Sequence, residues 1–465
     1  MAKATTAKKE KPKPFFYPEF CKACGRCIQA CPQHCIDFSE EINPQSGFAP
    51  VIIDLDTCNA CGLCISACPE PYGLMPNLDT FELIDPKTLF GKRKSTAKKP
   101  VNIPDEVLPL PEMNPLIIKG TYASAIGALL AGCRHFFGYP ITPSTEGAEL
   151  MAKLLPDMDG VFVQAVSEVA TVNMMYGCGG AGLRCMTFTS SPGFSLMLEG
   201  VSYMIGSQIP GVFVNVMRGG PGLGNIAPEQ ADIKLVCRGL GHGNTHAIVL
   251  TPSTPQEMLE LTMQAFDLSF KYRNPVIILA DGYLGQITSK VTLPKEMVKP
   301  GLPDWGVYGD SKHRGNLHTS IELNEPEQEK YNEHLNNKYA TMTDNEQRSD
   351  CFYCEDAEII LIACNTPSRM AKGAVEVLRK RGIRVGLFRP ITLWPFPIRE
   401  LERVVSDASK IIVVEAGNGQ LEDEMRLAMS KADILNYIPI ENIRHFGGVL
   451  PQQQEIIDKV LAEEG

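Results

Sequence analysis

Eight cysteines in two matching runs carry the most chemically specific spacing in this chain: Cys21-x-x-Cys24-x-x-Cys27-x-x-x-Cys31-Pro32 and Cys58-x-x-Cys61-x-x-Cys64-x-x-x-Cys68-Pro69. The runs start 37 residues apart and form an internal repeat. An iron–sulfur cluster needs thiolates at the corners of a small cube. Two-residue gaps let three cysteines of one loop wrap one face, so the fourth ligand comes from elsewhere. In the bacterial two-cluster pattern the last cysteine of each run serves the other cluster. The spacing therefore assigns Cys21, Cys24, Cys27 and Cys68 to one [4Fe-4S] cluster, and Cys58, Cys61, Cys64 and Cys31 to the other. Pro32 and Pro69 turn the chain away after the crossing ligand. Gly25 and Gly62 sit where backbone must approach sulfur closely. Structural zinc sites use Cys-x-x-Cys pairs separated by a long gap, which these runs do not match.

The other cysteines divide by context. Cys35, close to Cys31, reads as a spare buried thiol. Cys351-Phe-Tyr-Cys354 is a lone CxxC, read as packing, its role left open. Cys133, Cys178, Cys185, Cys237 and Cys364 sit in apolar surroundings and read as small core residues. Nine of the sixteen cysteines fall between residues 21 and 68 at metal-ligand spacing, which points to a reducing, cytoplasmic setting and away from disulfides.

Around these residues, 465 positions suggest about three domains. A net charge of −10 argues against general nucleic-acid binding. The first fourteen residues are basic and lack an apolar core, so they read as a disordered tail and not as a secretory signal. No uncharged apolar run reaches the roughly 18 residues of a membrane span. The nearest candidate, Pro115 to Gly132, is interrupted by Lys119 and reads as a strand leading into a tightly packed helix.

Apolar runs at Val161–Val163, Cys185–Phe188, Val212–Val216, Ala247–Leu250 and Val276–Ala280 alternate with candidate helices at Ser167–Gly177, Gly193–Ile205 and Thr254–Tyr272. That alternation predicts an α/β fold with parallel sheets covered on both faces. It returns near the C-terminus, with strands at Ile359–Ala363, Val385–Phe388 and Ile411–Val414. Helices are expected there at Arg369–Arg381, Ile398–Val405 and Leu421–Ser430. The expected organisation is a tail over 1–14, an α+β two-cluster ferredoxin unit over 15–75 and a proline-broken linker over 76–115. An α/β domain follows over 116–290, then a polar connector over 291–355 with a surface helix, and a smaller α/β domain over 356–465.

Spacing alone leaves residues 116–465 without a function, but local sequence says more. Gly138-Tyr-Pro-Ile-Thr-Pro-Ser-Thr-Glu146 closely resembles a motif of the α subunit of the 2-oxoacid:ferredoxin oxidoreductases. Similar stretches follow in the family's order: Ser167-Glu168-Val-Ala, Thr189-Ser-Ser-Pro-Gly-Phe-Ser-Leu-Met197, Arg218-Gly-Gly-Pro-Gly222, Tyr272-Arg-Asn-Pro-Val276 and Phe388-Arg-Pro-Ile-Thr-Leu-Trp-Pro-Phe-Pro397, then a strand ending Val414-Glu415. The resemblance implies oxidative decarboxylation of a 2-oxoacid with coenzyme A, giving acyl-CoA, carbon dioxide and two electrons that leave through iron–sulfur clusters to an external ferredoxin. It implies a pyrimidine-side thiamine-diphosphate-binding domain and a transketolase-C-like domain, in an enzyme of anaerobic metabolism. Glu168 matches the glutamate that hydrogen-bonds the coenzyme's pyrimidine ring and promotes loss of the thiazolium proton. Its plainer reading is a helix-start residue beside Ser167. Thr142 and Arg218 match residues that hold the substrate carboxylate, a task suited to a bidentate guanidinium.

One absence is informative. The magnesium and diphosphate motif of thiamine enzymes is GDG followed by NN. Here Gly309-Asp310-Ser311 and Asn336-Asn337 imitate it, but the second glycine is missing and the segment between is too polar to form the helix and buried strand that the motif needs. The diphosphate and Mg2+ are therefore expected on a β subunit, with a γ subunit also expected, and this chain alone should not turn over. Gly219-Gly-Pro-Gly-Leu-Gly224 reads as a loop beside the substrate pocket, since no Gly-Lys-Ser/Thr follows it. The competing reading is a non-catalytic electron-transfer scaffold of such a complex. The motifs look closest to 2-oxoisovalerate enzymes, with 2-oxoglutarate enzymes sharing most of them.

Overall fold

The computed structural model describes residues 12–43, 47–70, 72–76, 101–313, 315–434 and 438–462. The chain divides into two compact units, Met1–Ser95 and Thr96–Gly465.

The first unit shows its sequence repeat as a repeat of backbone. Helices α1 (Arg26–Ala30) and α2 (Leu63–Ala67) each follow a left-handed glycine, Gly25 at φ 70° and Gly62 at φ 77°. Ala23 and Ala60 are left-handed as well, at φ 51° and 57°. Two such residues per loop curl the chain tightly enough to aim successive thiols at one point, and glycine takes this region without a Cβ penalty. Strand β1 (Pro14–Phe16) pairs antiparallel with β4 (Leu74–Pro76), and β2 (Ile36–Phe38) with β3 (Val51–Ile53). The buried core among the described residues is mainly sulfur: Cys27, Cys31, Cys35 and Cys64, with only Ile36, Val51 and Leu74 beside them. So small an aliphatic core cannot offset the chain entropy of a unit this size. Metal–ligand bonds must supply much of the folding energy. Of the basic tail, residues 1–11 lie outside the described residues, and Pro14 already belongs to β1.

The second unit opens with β5 (Glu106–Pro109) and β6 (Leu116–Lys119), followed by α3 (Gly120–Leu130), β7 (His135–Gly138), α4 (Thr145–Leu154), β8 (Val161–Gln164) and α5 (Glu168–Gly180). Next come β9 (Cys185–Thr189), α6 (Ser191–Gly206), β10 (Gly211–Met217), α7 (Ile233–Arg238), β11 (Ile248–Leu250), α8 (Pro255–Tyr272), β12 (Pro275–Asp281) and α9 (Gly282–Gln286). The six strands β7 to β12 form a parallel sheet in the order β11-β12-β10-β9-β7-β8. Strands β9, β10 and β12 are buried along their whole length, which is why they read as continuous apolar runs. Helix starts follow local chemistry. Ser167 caps α5 by accepting from the Ala170 N–H at 3.2 Å, and Thr254 caps α8 by accepting from Glu257 N–H at 3.1 Å, with Pro255 in the first turn.

The rest of the chain contains β13 (Thr288–Val291), β14 (Glu296–Lys299), the helix α10 (Glu325–Asn345), β15 (Ser349–Phe352), β16 (Ile359–Ile362), α11 (Asn365–Lys380) and β17 (Val385–Pro390). It ends with β18 (Thr392–Trp394), α12 (Ile398–Val405), β19 (Lys410–Glu415), α13 (Gln420–Lys431), β20 (Ile440–Arg444) and α14 (Gln453–Leu461). A second sheet has the order β15-β17-β16-β19-β20, parallel apart from β15. Fold class is thus α/β with parallel sheets. Among the described residues no helix is long and apolar enough to cross a membrane.

Two features depart from the sequence reading. The segment 76–115 is not all linker. Residues 77–100 lie outside the described residues, but Glu106–Pro109 forms β5, antiparallel to β14. The prolines flank this strand or sit at its last position, where no ladder donor is lost. Second, β18 leaves the C-terminal region and joins the first sheet, antiparallel to β11. Trp394 stacks on His246 with ring centroids 4.6 Å apart, and Tyr339 of α10 meets both rings edge-on. A buried polar seam also joins the two sheets. Asp281 accepts from Thr366 N and Oγ1, each at 2.8 Å, and the Gln230 side chain bridges Cys364, Asn365 and Ala416.

Candidate functional site

In the first sheet the chain passes from β7 outward to β8, then returns across β7 to β9. The strand order reverses there, and open α/β sheets bind ligands outside the carboxyl ends of strands at such a point. The loop after β7 carries Thr142, α5 after β8 opens with Glu168, β9 ends in Thr189, and β10 leads into Arg218.

Arg218 is 7% exposed. Its guanidinium donates to the carbonyl of Thr142 at 2.9 Å and to that of Leu223 at 3.1 Å, and its backbone N–H donates to Ser191 Oγ at 3.1 Å. Ser191 donates in turn to Asp232 Oδ2 at 2.6 Å, where Asn215 also donates at 2.9 Å. Burial raises the Asp232 carboxyl pKa, opposed by those two donors. The Thr142 loop is braced from behind. Gln286 Nε2 donates to Pro143 O and to Glu146 Oε2, both at 3.0 Å, and Lys119 pairs with Glu146 at 3.4 Å.

Glu168 is the first residue of α5, so the helix-start reading holds structurally, yet the side chain is only 5% exposed. It lies against α6 at Gly193. A Cβ at that position would come within 2.7 Å of Glu168 Oε1 and 2.5 Å of Thr189 Oγ1. Glycine there leaves room for the carboxylate. Thr189 Oγ1, Ser190 Oγ and Arg218 Nε are buried without a hydrogen-bond partner. Each such group costs about 1–3 kcal/mol, and a cluster of them at a strand-end crevice is what a polar ligand would satisfy. The donor set suits a coenzyme ring and a substrate carboxylate.

Sequence reasoning missed Ser191, Asp232, Glu146 and Glu229. Glu229 Oε2 accepts from Gly220 N–H at 3.2 Å and Gly447 N–H at 2.9 Å, tying the glycine-rich loop to the turn after β20. Asn225 reinforces the tie by donating to Gly447 O at 3.0 Å. No local signal marks Glu229, because its partner lies 218 residues away.

In the first unit, one cavity is lined by Cys31, Cys58, Cys61 and Cys64 together, with Cys35 on the same wall. Cys21, Cys24 and Cys27 lie within electrostatic reach of one another. None of the sixteen cysteines is in a disulfide. Among the described residues no three His, Cys, Asp or Glu side chains converge tightly enough for a single metal ion. Cys35 is buried with its Sγ 3.3 Å from that of Cys31. Cys35→Ala should leave iron and sulfide content unchanged after anaerobic purification, and loss of a cluster would make Cys35 a ligand.

The two halves of the imitating motif have separate local partners. Asp310 Oδ1 accepts from the His313 backbone N–H at 2.8 Å and lies 2.8 Å from its Nδ1. Asn336 and Asn337 lie inside α10, so the polar segment does form a helix, although an exposed one. Cys354 is buried, and half-buried Cys351 lies 3.5 Å from Glu400 Oε1. Cys133, Cys185, Cys237 and Cys364 are core residues, whereas Cys178 is only half-buried.

Fold and site together define an iron–sulfur oxidoreductase subunit of the thiamine-diphosphate class. Residues 20–71 match the family model for a 4Fe-4S dicluster domain. Residues 126–350 match pyruvate flavodoxin/ferredoxin oxidoreductase, thiamine-diphosphate-binding, and 357–456 match pyruvate:ferredoxin oxidoreductase core domain II. The chain is 44% identical over 351 residues to ketoisovalerate oxidoreductase subunit VorB of Methanothermobacter thermautotrophicus, covering 75% of this chain and 98% of that one. It is 36% identical over 357 residues to 2-oxoglutarate synthase subunit KorA of Archaeoglobus fulgidus, covering 74% and 99%. A solved 2-oxoglutarate:ferredoxin oxidoreductase from Magnetococcus marinus, with 2-oxoglutarate, coenzyme A and succinyl-CoA bound, superposes with a TM-score of 0.68 at 26% identity. That match covers 76% of this chain and 66% of that one. This chain belongs to the 2-oxoacid:ferredoxin oxidoreductase family. Its cofactors are two [4Fe-4S] clusters and thiamine diphosphate.

Proposed function

We propose that this chain is the α subunit of an enzyme that oxidatively decarboxylates a branched-chain 2-oxoacid with coenzyme A. The products are acyl-CoA, carbon dioxide and two electrons, which leave through its own clusters to ferredoxin. The observation that supports the reading is that Arg218 is buried and bonded to the Thr142 carbonyl, with Arg218 Nε, Thr189 Oγ1 and Ser190 Oγ left without partners at the ends of the same sheet's strands, where Glu168 opens the next helix.

Thiamine diphosphate, when bound, supplies the carbanion chemistry. The Glu168 carboxylate would hold the coenzyme's pyrimidine ring by a hydrogen bond and supply the acid–base group there. Arg218, kept in place by the Thr142 and Leu223 carbonyls, faces the substrate carboxylate with the Thr142 hydroxyl beside it. Cys21, Cys24, Cys27 and Cys68 hold one cluster, and Cys58, Cys61, Cys64 and Cys31 the other. The cavity that joins Cys31 to the second run supports this crossed pairing.

A β subunit supplies the diphosphate and Mg2+ half of the site, and a γ subunit completes the complex. Exposed apolar side chains support a covering partner. Val166, two residues before Glu168, is 87% exposed, and Leu223, whose carbonyl holds Arg218, is 81% exposed. Eight cysteines at cluster-ligand spacing suit a reducing, cytoplasmic compartment.

The higher identity to the ketoisovalerate enzyme favours 2-oxoisovalerate over 2-oxoglutarate. Assays of the purified complex with pyruvate, 2-oxoisovalerate and 2-oxoglutarate, following ferredoxin reduction, check this. The kcat/KM for 2-oxoisovalerate should exceed that for pyruvate by roughly 10- to 200-fold, the range that added methyl groups confer in an apolar pocket. Highest activity on 2-oxoglutarate would overturn the substrate assignment and leave the reaction class standing.

A further inference from the structure

A second group of reactive side chains lies away from the clusters and from the strand-end crevice. Cys178 sits in the last turns of α5, and Cys185 opens β9 after a four-residue turn. His135 opens β7 and is the direct register partner of Cys185 on the neighbouring strand. Cys133, just before β7, puts its Sγ 3.4 Å from the His135 carbonyl. Cys185 Sγ reaches the carbonyl of Met175, one turn before Cys178 on α5, at 3.7 Å, so the Cys178 thiol lies within electrostatic reach of Cys185 and of its register neighbour His135. These side chains do not converge on a point where a metal ion could sit.

The members are not equivalent. Cys133 and Cys185 are fully buried, with Cys185 held toward the Met175 carbonyl at 3.7 Å, whereas Cys178 is half-buried and meets solvent. His135 Nδ1 is buried without a partner. A partly exposed thiol next to an imidazole and a second thiol is the arrangement found in reactive, oxidisable cysteines.

We propose that Cys178 is a site of reversible oxidation by hydroperoxides, with Cys185 as the resolving thiol and His135 as the acid–base partner. The Cys178 thiolate attacks one peroxide oxygen. An S–O bond forms, the O–O bond breaks, and the departing oxygen leaves as water with a proton from His135. Cys185 then gives its proton to His135 and attacks the Cys178 sulfur. The S–S bond forms, the S–O bond breaks, and hydroxide leaves as a second water with that proton. Two electrons pass from the thiol pair to the peroxide, and a dithiol reductant reverses the step.

The electrostatics agree with these roles. The Cys178 pKa is lowered to about 6, chiefly by interaction with Cys185 and then with His135, against the effect of burial, while the Cys185 pKa is pushed up. The pair also closes on the elements that frame the active-site crevice, since α5 begins at Glu168 and β9 ends at Thr189.

The test uses the anaerobically purified complex, treated with stoichiometric hydrogen peroxide, alkylated and mapped by peptide mass spectrometry. A Cys178–Cys185 disulfide that dithiothreitol removes is expected. In Cys185→Ser, dimedone should label Cys178. In Cys178→Ser, no adduct should appear on Cys185. His135→Asn should slow alkylation of Cys178 by iodoacetamide at pH 7 by roughly tenfold, as its thiolate fraction falls. The proposal is overturned if Cys178 stays a free thiol after peroxide in complexes that retain their melting temperature, or if Cys185 is labelled first.

Discussion

Glu168→Gln is expected to lower turnover of the reconstituted complex by about 10²- to 10⁴-fold, the usual contribution of a positioned acid–base group. The substitution keeps shape and removes the charge. The Glu168 side chain is 5% exposed and packed at Gly193, so an isosteric amide fits where a larger residue would not. Loss of a carboxylate from the first turn of α5 removes only about 0.3–1 kcal/mol of helix-dipole stabilisation, so the melting temperature should barely move. The effect belongs in kcat and kcat/KM together, because the group acts on the reaction more than on substrate affinity. Cluster content and the reduction of the clusters by dithionite should stay normal. A near-normal rate of coenzyme-A-dependent 2-oxoacid oxidation in this variant would sink the catalytic assignment and favour a scaffold role.

The second large effect concerns the crossed ligands. Cys31→Ser should remove the cluster held by Cys58, Cys61 and Cys64, although Cys31 belongs to the other run. The cavity that Cys31 shares with those three residues is the basis. The comparison is internal. Cys31→Ser and Cys58→Ser should leave the same surviving cluster, with the same electron paramagnetic resonance signal and potential. Cys68→Ser and Cys21→Ser should leave the other one. Spectra that pair Cys31→Ser with Cys21→Ser would refute the crossing. Because sulfur fills most of the buried core of this unit, losing a cluster should also destabilise it by several kcal/mol, as metal-dependent folding predicts, and proteolysis of the purified complex would detect that.

The elements most legible in the sequence were those whose causes are local. Strands β9, β10 and β12 announced themselves as unbroken apolar runs because both of their faces are covered. Helix α8 was bounded by its cap Thr254 and ended at Tyr272, where Arg273 turns left-handed at φ 47°. The cluster loops could be read because three ligands fall within seven residues and the turns between them require a left-handed glycine. Short elements hid. Strand β7 spans four residues beginning with His135, too few to show a period, and β5 was masked by flanking prolines. Helix α10 is polar nearly all round, with only Leu335, Tyr339 and Met342 buried, so it carries almost no amphipathic signal.

By itself, then, the sequence determined the cluster chemistry and the α/β class, and its motifs singled out Glu168, Thr142 and Arg218 as the candidate site residues. Each is encoded in ligand spacing, burial pattern or a short motif. Tertiary structure alone decided which groups meet. Arg218 reaches the Thr142 carbonyl across 76 residues, Glu229 ties Gly220 to Gly447, β18 crosses to the first sheet, and His135 lies beside Cys178 and Cys185. Those juxtapositions follow from the strand order of the sheet, which depends on long-range packing that no local stretch of residues contains.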